Sequence, residues 1–377
     1  MSSSFKHDPL KLDSRQIRLL RFAQPQLSSP GIHLEISHHY LEDRIFRRKC
    51  PRYWALSYTW GTERPLIAIN INNKSFLVRR NLWTLLSAIK YGAPRNLDVN
   101  VKEEEGLCLE DMYFWVDQIC IDQKSTVERN HQVEMMRSIY QSAISTVIWL
   151  GPKSDIPGSD EIIRHITVEG APIPAKLDFY NHPYWKRLWI VQEIMYSRQL
   201  IIMCGLHGIL WEDFTDYYRS MTARFGQEGG RWSVYRYEIW SLVEEKAAYL
   251  EEPPENPRIP TGERLRLESD ERRPFEPTES LRTVINTFGD RGCDDVRDKI
   301  FGLQSLVAPK ERIAVDYGLS PQELFSLVMG RLHEDTGIER QLAKGSFARS
   351  LMSLLNLMDD GAVKSVSWHR CRTRWLE

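Results

Sequence analysis

Apolar residues recur with two different periods along the first 220 residues of this chain. Alternating or unbroken apolar runs predict strands, and apolar residues three and four positions apart predict helices. Residues 112–121 are predicted to form a strand, Thr126–Ala143 an amphipathic helix capped by its first residue, and 146–151 another strand. A strand, a helix and a strand in this order predict a βαβ unit with a parallel strand pair. A helix at 185–196 and a strand at 199–204 repeat the unit.

The segments before residue 112 predict further strands. Residues 16–22 and 31–37 alternate apolar with polar residues, as edge strands do, and Tyr53–Tyr58 is predicted to be a buried strand. A hairpin is predicted around Asn72-Asn73-Lys74, because Asn tolerates the left-handed backbone of tight turns. Asn81 is predicted to cap the helix that follows. We therefore expect an α/β fold with an open, mostly parallel sheet flanked by helices.

The composition changes beyond residue 220. Residues 251–277 hold six of the 19 prolines and many charges without apolar periodicity, which predicts a linker. Periodic segments at 281–288, 297–305 and 321–333 predict a smaller helical C-terminal region. Four parts are expected: N-terminal strands at 1–45 that pack on the domain, an α/β core at 46–220, a helix with a charged Pro-rich linker at 221–280, and a helical region at 281–377.

Charge and cysteine usage limit the classes of partner and compartment. The net charge of −1 gives no global attraction to nucleic acid or to anionic lipid. The six cysteines are far apart, without a C-x-x-C pair or metal-ligand spacing, so no metal site is predicted and buried thiols in a reducing compartment are expected. The first residues lack the apolar core of a signal peptide, and no apolar run is long enough to span a bilayer. A cytoplasmic location without a membrane span is therefore expected.

One acid, Glu193, lies in a helix-like segment among large apolar residues. A carboxylate in such surroundings is costly unless it has a partner or a chemical role, so Glu193 is the first candidate for catalysis. Glu128 differs, because an acid in the first turn of a helix is explained by the helix dipole. A thiol nucleophile at Cys120 is not expected, since no His and Asp accompany it. The chain has no G-x-G-x-x-G fingerprint or P-loop, which disfavours redox dinucleotide chemistry and ATP hydrolysis.

Several motifs occur in a fixed order along residues 50–320. They comprise Ala55–Tyr58 with Trp60-Gly61, Asp117 with Ile119–Ile121 and Gln123, Glu128-Arg129 with Gln132-Val133, Met136 with Ile139-Tyr140, Trp149–Gly151, and Trp185, Arg187 and Trp189 with Gln192-Glu193. This set resembles the HET domain of fungal heterokaryon-incompatibility proteins. The later segments Asp294–Leu303 and Val315–Tyr317 are similar to the region that follows the domain in that family.

The resemblance implies a role in non-self recognition and programmed cell death after the fusion of unlike hyphae. Self-association and an incompatibility partner protein are the partners that it implies. Many members of the family are much longer, with a C-terminal regulatory or repeat region. A chain of 377 residues is therefore expected to be a short form or an incomplete sequence.

HET domains have also been likened to Toll/interleukin-1-receptor (TIR) domains, which implies a TIR-like or flavodoxin-like sheet. Some TIR domains cleave NAD at the nicotinamide glycosidic bond, and their key acid lies in a context similar to Trp189–Ile194. The catalytic role is carried over to Glu193 alone. Nicotinamide departs as a neutral molecule, so one carboxylate that stabilises the ribosyl oxocarbenium ion is enough. NAD is then a substrate and no cofactor is expected. The alternative is a structural ion pair between Glu193 and Arg187 or another base.

Ligands of open α/β sheets bind beyond the carboxyl ends of the strands. The candidate substrate-binding residues lie at two such ends or beside the acid: Ser57, Tyr58, Trp60, Gly61, Arg64, Asp117, Cys120 and Trp189. Trp60 is predicted to stack on adenine or nicotinamide, Gly61 to admit a phosphate or ribose closely, and Arg64 to meet the pyrophosphate. Structural alternatives remain for each, such as a packed cap for Trp60, a turn hydroxyl for Ser57 and a partner of loop amides for Asp117.

Functions from different classes remain open at this stage. One is an NAD glycohydrolase that depletes NAD when it assembles. Another is a non-catalytic, self-associating interaction module, with which the many aromatic residues and the balanced charge are compatible. A decayed family member without activity is the third.

Overall fold

The computed structural model describes residues 3–23, 31–41, 50–92, 112–156, 179–225, 236–250, 277–332 and 338–357, together with Ser159, Ile163 and Ile166. The chain divides into two compact units. The first comprises Met1–Ile239 and Val315–Gly318, and the second comprises Trp240–Ala314 and Leu319–Glu377. Among the helices in these ranges, none is both long and apolar enough to cross a bilayer.

The first unit is built on one sheet, to which the described residues contribute nine strands in the order β5-β4-β2-β1-β6-β3-β7-β8-β9. The strands are β1 (Gln16–Phe22), β2 (His33–Tyr40), β3 (Tyr53–Tyr58), β4 (Leu66–Ile71), β5 (Lys74–Arg79), β6 (Tyr113–Trp115), β7 (Ser145–Trp149), β8 (Leu200–Cys204) and β9 (His207–Leu210). The four central strands β6, β3, β7 and β8 are parallel. Antiparallel pairs lie on both sides of this parallel centre. The predicted α/β class with an open sheet is confirmed.

Helices connect and flank the parallel strands. They are α1 (Arg80–Gly92), α2 (Asp117–Cys120), α3 (Thr126–Ser142), α4 (Ile190–Tyr196), α5 (Trp211–Phe225) and α6 (Arg236–Leu250), the last of which spans the boundary between the units. All residues of β3, β7 and β8 are buried, as expected of parallel strands that are covered on both faces. Helices α3 and α4 lead into β7 and β8 as predicted, and β7 pairs with β8. The first predicted strand pair is wrong, because β6 and β7 both pair with β3, which lies between them.

The two N-terminal strands lie inside the sheet, and the prediction of edge strands is wrong. Strand β1 pairs with β2 on one side and β6 on the other, and β2 also pairs with β4. Alternation of apolar and polar residues indicates that one face of a strand is exposed to solvent. An interior strand can have such a face as well as an edge strand. Only the long-range pairing with β4 and β6 decides which strands become edges.

The hairpin formed by β4 and β5 has the geometry that its sequence predicts. Asn72 and Asn73 have φ of 48° and 62°, and the ladder closes at the pair Ile71 and Lys74. Asn is the non-glycine residue that most readily accepts this left-handed backbone.

The strand predicted at 112–121 is wrong beyond its first residues. Strand β6 ends at Trp115, and the chain then turns into the single-turn helix α2. The turn is held locally, because the Val116 carbonyl accepts the Cys120 N–H at 2.8 Å while the Val116 N–H donates to Cys120 Sγ at 3.4 Å. Asp117 therefore begins a helix at the carboxyl end of β6 rather than continuing a strand.

Two helix starts also differ from the prediction. Ser125, not Thr126, caps α3, because its hydroxyl accepts the Glu128 N–H at 3.3 Å. The helix predicted at 185–196 is broken into a 3₁₀ turn, Pro183–Lys186, and the later helix α4. Arg187 has an extended backbone with ψ of 139°, and it separates these two elements.

Glu128 at the start of α3 is buried in an ion pair that the sequence pattern did not indicate. Its two oxygens accept from Arg18 Nη1 at 2.5 Å and Arg18 Nη2 at 2.9 Å, and Oε1 also accepts the Asp122 N–H at 2.7 Å. Arg18 donates further to the carbonyls of Cys120 and Asp8, at 2.9 and 2.5 Å. This network joins β1, α2 and α3, so the helix dipole is only part of the reason for an acid at position 128.

A short segment from far along the chain lies against α3. The Val315 N–H donates to Glu134 Oε1 at 3.3 Å, and the Tyr317 N–H donates to Asn130 Oδ1 at 3.1 Å. The Arg129 guanidinium lies 3.9 Å from the centre of the Tyr317 ring. These contacts explain why Val315–Gly318 belongs to the first unit.

The described part of the second unit is helical, with α7 (Leu281–Phe288), α8 (Asp298–Phe301), α9 (Pro321–Arg331) and α10 (Ile338–Leu354). The helices predicted at 281–288 and 321–333 are confirmed, and Ser320 with Glu323 forms a capping box at α9. The helix predicted at 297–305 is only one turn, followed by a 3₁₀ turn at Gln304–Leu306. The predicted Pro-rich linker lies outside the described residues up to position 276.

Candidate functional site

The candidate site lies at the carboxyl ends of β3 and β6, in the parallel centre of the sheet. Ser57 and Tyr58 are the last residues of β3, and Asp117 follows β6 after one residue. Strands β3 and β6 are hydrogen-bonded neighbours, so their carboxyl ends open at the same edge. This is where open α/β sheets bind ligands.

The acid Glu193 lies next to Ser57. Helix α4 presents Glu193 so that its Oε2 accepts a short hydrogen bond from the Ser57 hydroxyl. The Ser57 oxygen is also 2.6 Å from the Tyr184 hydroxyl. A carboxylate, an alcohol and a phenol therefore form a continuous hydrogen-bonded chain across 136 positions of sequence.

An arginine faces the same carboxylate. Arg187 Nη1 lies 3.9 Å from Glu193 Oε2, with the arginine side chain 19% exposed and the glutamate side chain 4% exposed. This contact is the ion pair that was considered as the structural alternative for Glu193. It is long for a hydrogen bond, so the attraction is between charges rather than through a shared proton.

A second carboxylate stands on α2 with its own donors. Asp117 Oδ2 accepts from Trp60 Nε1 at 2.8 Å, and Oδ1 accepts the Gln118 N–H at 2.7 Å. Gln118 in turn accepts from the Tyr58 hydroxyl at 3.0 Å. Four candidate or neighbouring side chains are thus linked at the ends of β3 and β6, while Asp117 itself remains partly exposed.

Electrostatics couple these groups into one cluster. Burial raises the pKa of Glu193, and Arg187 and the Ser57 hydroxyl offset part of that effect. Burial likewise raises the pKa of Asp117, against the lowering effect of Arg187 and Trp60. Burial disfavours the charge of Arg187, but Glu193 and Asp117 outweigh it and raise the pKa of the guanidinium. Two carboxylates therefore share one guanidinium.

The phenols around the cluster stay neutral. Burial and then the Asp117 carboxylate raise the pKa of Tyr58. Burial and then the Glu193 carboxylate raise the pKa of Tyr140 on α3. Hydroxyls of this kind can donate hydrogen bonds to an anion without adding charge.

Several contacts hold the loop after β3, and those made by Trp60 and Gly61 do not involve Arg64. Trp60 bonds Asp117 and carries the Arg79 guanidinium 5.2 Å from its ring centre, while Arg79 Nη1 donates to the Gly61 carbonyl at 2.9 Å. Gly61 has φ of +73°, a backbone that favours glycine. Arg64 is exposed in this loop, and the structure does not bring it to the buried carboxylates.

Asn81 acts in this loop rather than as the predicted helix cap. Asn81 Nδ2 donates to the Thr59 carbonyl at 2.6 Å and to Thr59 Oγ1 at 3.0 Å. Asn81 Oδ1 accepts from Trp149 Nε1 at 3.0 Å. Asn81 therefore ties the loop after β3 to the carboxyl end of β7. Helix α1 begins one residue earlier, at Arg80.

Cys120 and Trp189 are two further predicted site residues, and Trp185 belongs to the same motif as Trp189. Cys120 is fully buried within the α2 turn, where burial raises the pKa of its thiol to about 12. Trp189 is partly exposed just before α4, and its carbonyl accepts the Glu193 N–H at 3.3 Å. Trp185 stacks parallel on Phe214 with ring centres 5.7 Å apart.

The carboxylate of Glu193 is covered rather than open to solvent. Glu193 is 3% exposed and Ser57 is 1% exposed. The acid is at the expected end of the sheet, but the side chains around it close over it. Any ligand that reaches Glu193 therefore requires some of these side chains to move.

Sequence reasoning missed several members of the cluster. Arg79 and Gln118 had no recognisable signal, because ordinary helix and strand positions carry them, whereas Tyr140 belongs to a motif but was not chosen as a site residue. Within the described ranges, no group of three or more His, Cys, Asp or Glu side chains is arranged to hold a metal ion.

Comparisons with known proteins agree with the motifs. Residues 53–193 match the family model described as "Heterokaryon incompatibility protein (HET)". The chain is also 34% identical over 141 residues to "Heterokaryon incompatibility protein 6, OR allele" of Neurospora crassa. That alignment covers 36% of this chain and 19% of the relative's length. No solved structure matches the chain.

The matched segment begins at β3 and ends at Glu193 itself. It thus contains both strand ends and the acid, while Arg18, which pairs with Glu128, lies before it. With the motifs, the family match and the relative in agreement, residues 53–193 of this chain form a HET domain.

Proposed function

We propose that this HET-domain protein acts in heterokaryon incompatibility and triggers cell death by hydrolysing NAD at the nicotinamide glycosidic bond. The family match and the named relative support the incompatibility role. The observation that carries the enzymatic part is the position of Glu193: a buried carboxylate, hydrogen-bonded to Ser57, at the carboxyl end of the central parallel strands.

The chemistry that such a site suits is the departure of a cationic leaving group. The bond between ribose C1′ and the nicotinamide nitrogen breaks, both electrons leave with the nitrogen, and nicotinamide departs neutral. A carboxylate in surroundings of low polarity stabilises the ribosyl cation that remains. Water then adds to C1′ and releases one proton, which gives ADP-ribose.

The other members of the cluster have matching roles in this proposal. The Ser57 hydroxyl positions Glu193 through the hydrogen bond between them. Asp117 and Glu193 place two carboxylates beside the Arg187 guanidinium, so these three side chains carry a net negative charge when both acids are ionised. A positively charged pyridinium ring is attracted to such a site.

Access to Glu193 requires an opening step, because the acid is almost completely covered. The opening step in this proposal moves the Tyr184 hydroxyl away from Ser57, which it contacts at 2.6 Å. In this proposal, self-association of the protein favours the open arrangement. Activity is then expected to rise with protein concentration more steeply than in direct proportion.

The test is release of nicotinamide by the purified protein over a range of concentrations. Glu193→Gln keeps the shape of the side chain and its contact with Ser57 but removes the charge, so activity should fall at least about 100-fold. Glu212→Gln, at an exposed position in the first turn of α5, is the matched control and should not change activity. Equal release by wild type and Glu193→Gln, or none at any concentration, contradicts the enzymatic proposal.

The second candidate is a non-catalytic, self-associating module, and the burial of Glu193 favours it. An acid covered on all sides and paired with Arg187 also fits a structural role. Leu66 and Leu77 are 48% and 55% exposed on the outer hairpin β4–β5, where they provide apolar surface. Under this alternative, Glu193→Gln retains toxicity in fungal cells without loss of NAD, whereas Leu77→Lys abolishes toxicity.

A further inference from the structure

Arg187 is the side chain on which the charge of the site depends. Its guanidinium is the cation facing Glu193, and Nη1 is buried without a hydrogen-bond partner within the described residues. The backbone break that separates the 3₁₀ turn from α4 places Arg187 at this position. An unbroken helix would have put positions 187 and 193 on different faces, since six residues turn a helix through about 600°.

The two carboxylates that share Arg187 are not equally supported. Asp117 accepts from Trp60 at 2.8 Å and from the Gln118 N–H at 2.7 Å, and it remains partly exposed. Glu193 has one hydrogen-bond donor, the Ser57 hydroxyl, and is 3% exposed. Loss of the guanidinium would therefore leave Glu193 with less compensation than Asp117, and the remaining Asp117 charge would repel it.

Among the described residues, the other groups that face Glu193 bring no compensating charge. Ser57 and Tyr58 come from β3, Tyr184 from the 3₁₀ turn, and Tyr140 from α3, and all are hydroxyls. Asp117 on α2 adds a negative charge. Burial raises the pKa of Glu193, and Arg187 is the largest influence in the opposite direction.

We propose that Arg187 is the positioning residue that holds Glu193 in its ionised form at neutral pH, and that Asp117 opposes it. The catalytic meaning of this inference rests on the proposed function, because only an ionised Glu193 stabilises a ribosyl cation. The ionisation itself is a property of the folded protein and does not require a substrate.

The opposite signs of two substitutions test the inference. Arg187→Met removes the cation and should raise the pKa of Glu193 by about 1–3 pH units, as expected for loss of an opposite charge at this distance. Asp117→Asn removes the like charge and should lower it. Arg187→Lys keeps a positive charge and should give a smaller rise than Arg187→Met.

The measurement is the titration of the Glu193 carboxyl by carbon-13 NMR, with glutamate labelled at the side-chain carboxyl and the Glu193→Gln variant used to assign the signal. Arg198→Met is the matched control, because Arg198 follows α4 but bonds the exposed Gln141 carbonyl at 2.7 Å. Its titration should match that of wild type. Thermal unfolding of each variant confirms that the fold is retained, and Arg187→Lys serves if Arg187→Met does not fold.

The pH at which activity is lost on the acid side should shift together with the pKa of Glu193. In Arg187→Met, nicotinamide release should require a higher pH by the same 1–3 units, about the shift seen in the titration. An unshifted Glu193 titration in both Arg187 variants overturns the inference. A shifted titration in a protein whose wild type releases no nicotinamide supports the role of Arg187 and overturns NAD hydrolysis instead.

Discussion

The buried pair of Arg18 and Glu128 is expected to be among the most sensitive points of the first unit. The two side chains are 2% and 7% exposed and share two hydrogen bonds. Removal of one partner from a buried pair leaves an uncompensated charge, which costs about 3–5 kcal/mol of folding free energy. We expect Arg18→Met to lower the free energy of unfolding by that amount. Among the described residues, the Glu128 carboxylate would then keep the Asp122 N–H as its hydrogen-bond donor, while Ser125 bonds only the Glu128 backbone N–H.

The same strand provides a control of the same chemistry at the surface. Arg21 and Glu35 form a pair at 2.5 Å with side chains 48% and 46% exposed. Exposed pairs contribute about 0–1 kcal/mol, so Arg21→Met should change stability little. Replacement of both buried partners, Arg18→Met with Glu128→Leu, should cost less than Arg18→Met alone, since no unpaired charge remains.

Equilibrium urea unfolding of the three variants and wild type gives the comparison. If Arg18→Met and Arg21→Met lose the same stability, the reasoning from burial is refuted.

The pH dependence supplies a second check. Hydrogen bonds and the Arg18 charge outweigh the effect of burial and lower the pKa of Glu128. Its contribution is therefore complete above the pKa of an unfolded glutamate and is lost as the pH falls through the lower, folded value. Arg18→Met should weaken this loss of stability in acid.

Two further outcomes follow from single positions. Tyr317→Ala should lower the free energy of unfolding by about 3 kcal/mol, because Tyr317 is 7% exposed and its ring packs on the Arg129 guanidinium. Urea unfolding measures this change. A loss below about 1 kcal/mol would mean that Val315–Gly318 is not held on α3 in solution. Gly61→Ala should lower the free energy of unfolding by about 1–2 kcal/mol, because a φ of +73° strains any residue with a Cβ. The added Cβ itself has room, since the nearest atom is Asn81 Cβ at 3.4 Å. An unchanged unfolding curve would contradict this backbone conformation.

Local signals predicted most of the elements correctly. The period-two and period-3.6 patterns located β3, β7, β8 and α3, and the Asn72-Asn73 pair located the hairpin turn. These signals work because burial of one face and the left-handed backbone of Asn depend on neighbours close in sequence. The boundaries were less accurate at 112–121 and 185–196, where apolar side chains continue through a turn and hide the break from the pattern.

The candidate site was predictable in part. Glu193 and Ser57 were chosen from motifs, and the structure joins them by a hydrogen bond. The links of Asp117 to Trp60 and of Arg187 to Glu193 depend on the order of β6 and β3 in the sheet and on the break before α4. The burial of the acid had no counterpart in the local pattern, because a short amphipathic helix does not reveal what covers its polar residue.

The amino-acid sequence alone determined the class of fold, the family and the acid at the centre of the proposal. Periodicity and motif spacing carry that information within a few residues of each position. Only the tertiary structure decided that β1 and β2 lie inside the sheet, that Arg18 neutralises Glu128 from 110 positions away, and that Glu193 is covered. The reason is physical: pairing between distant strands and the loss of water around a charge are properties of surfaces that meet only after folding.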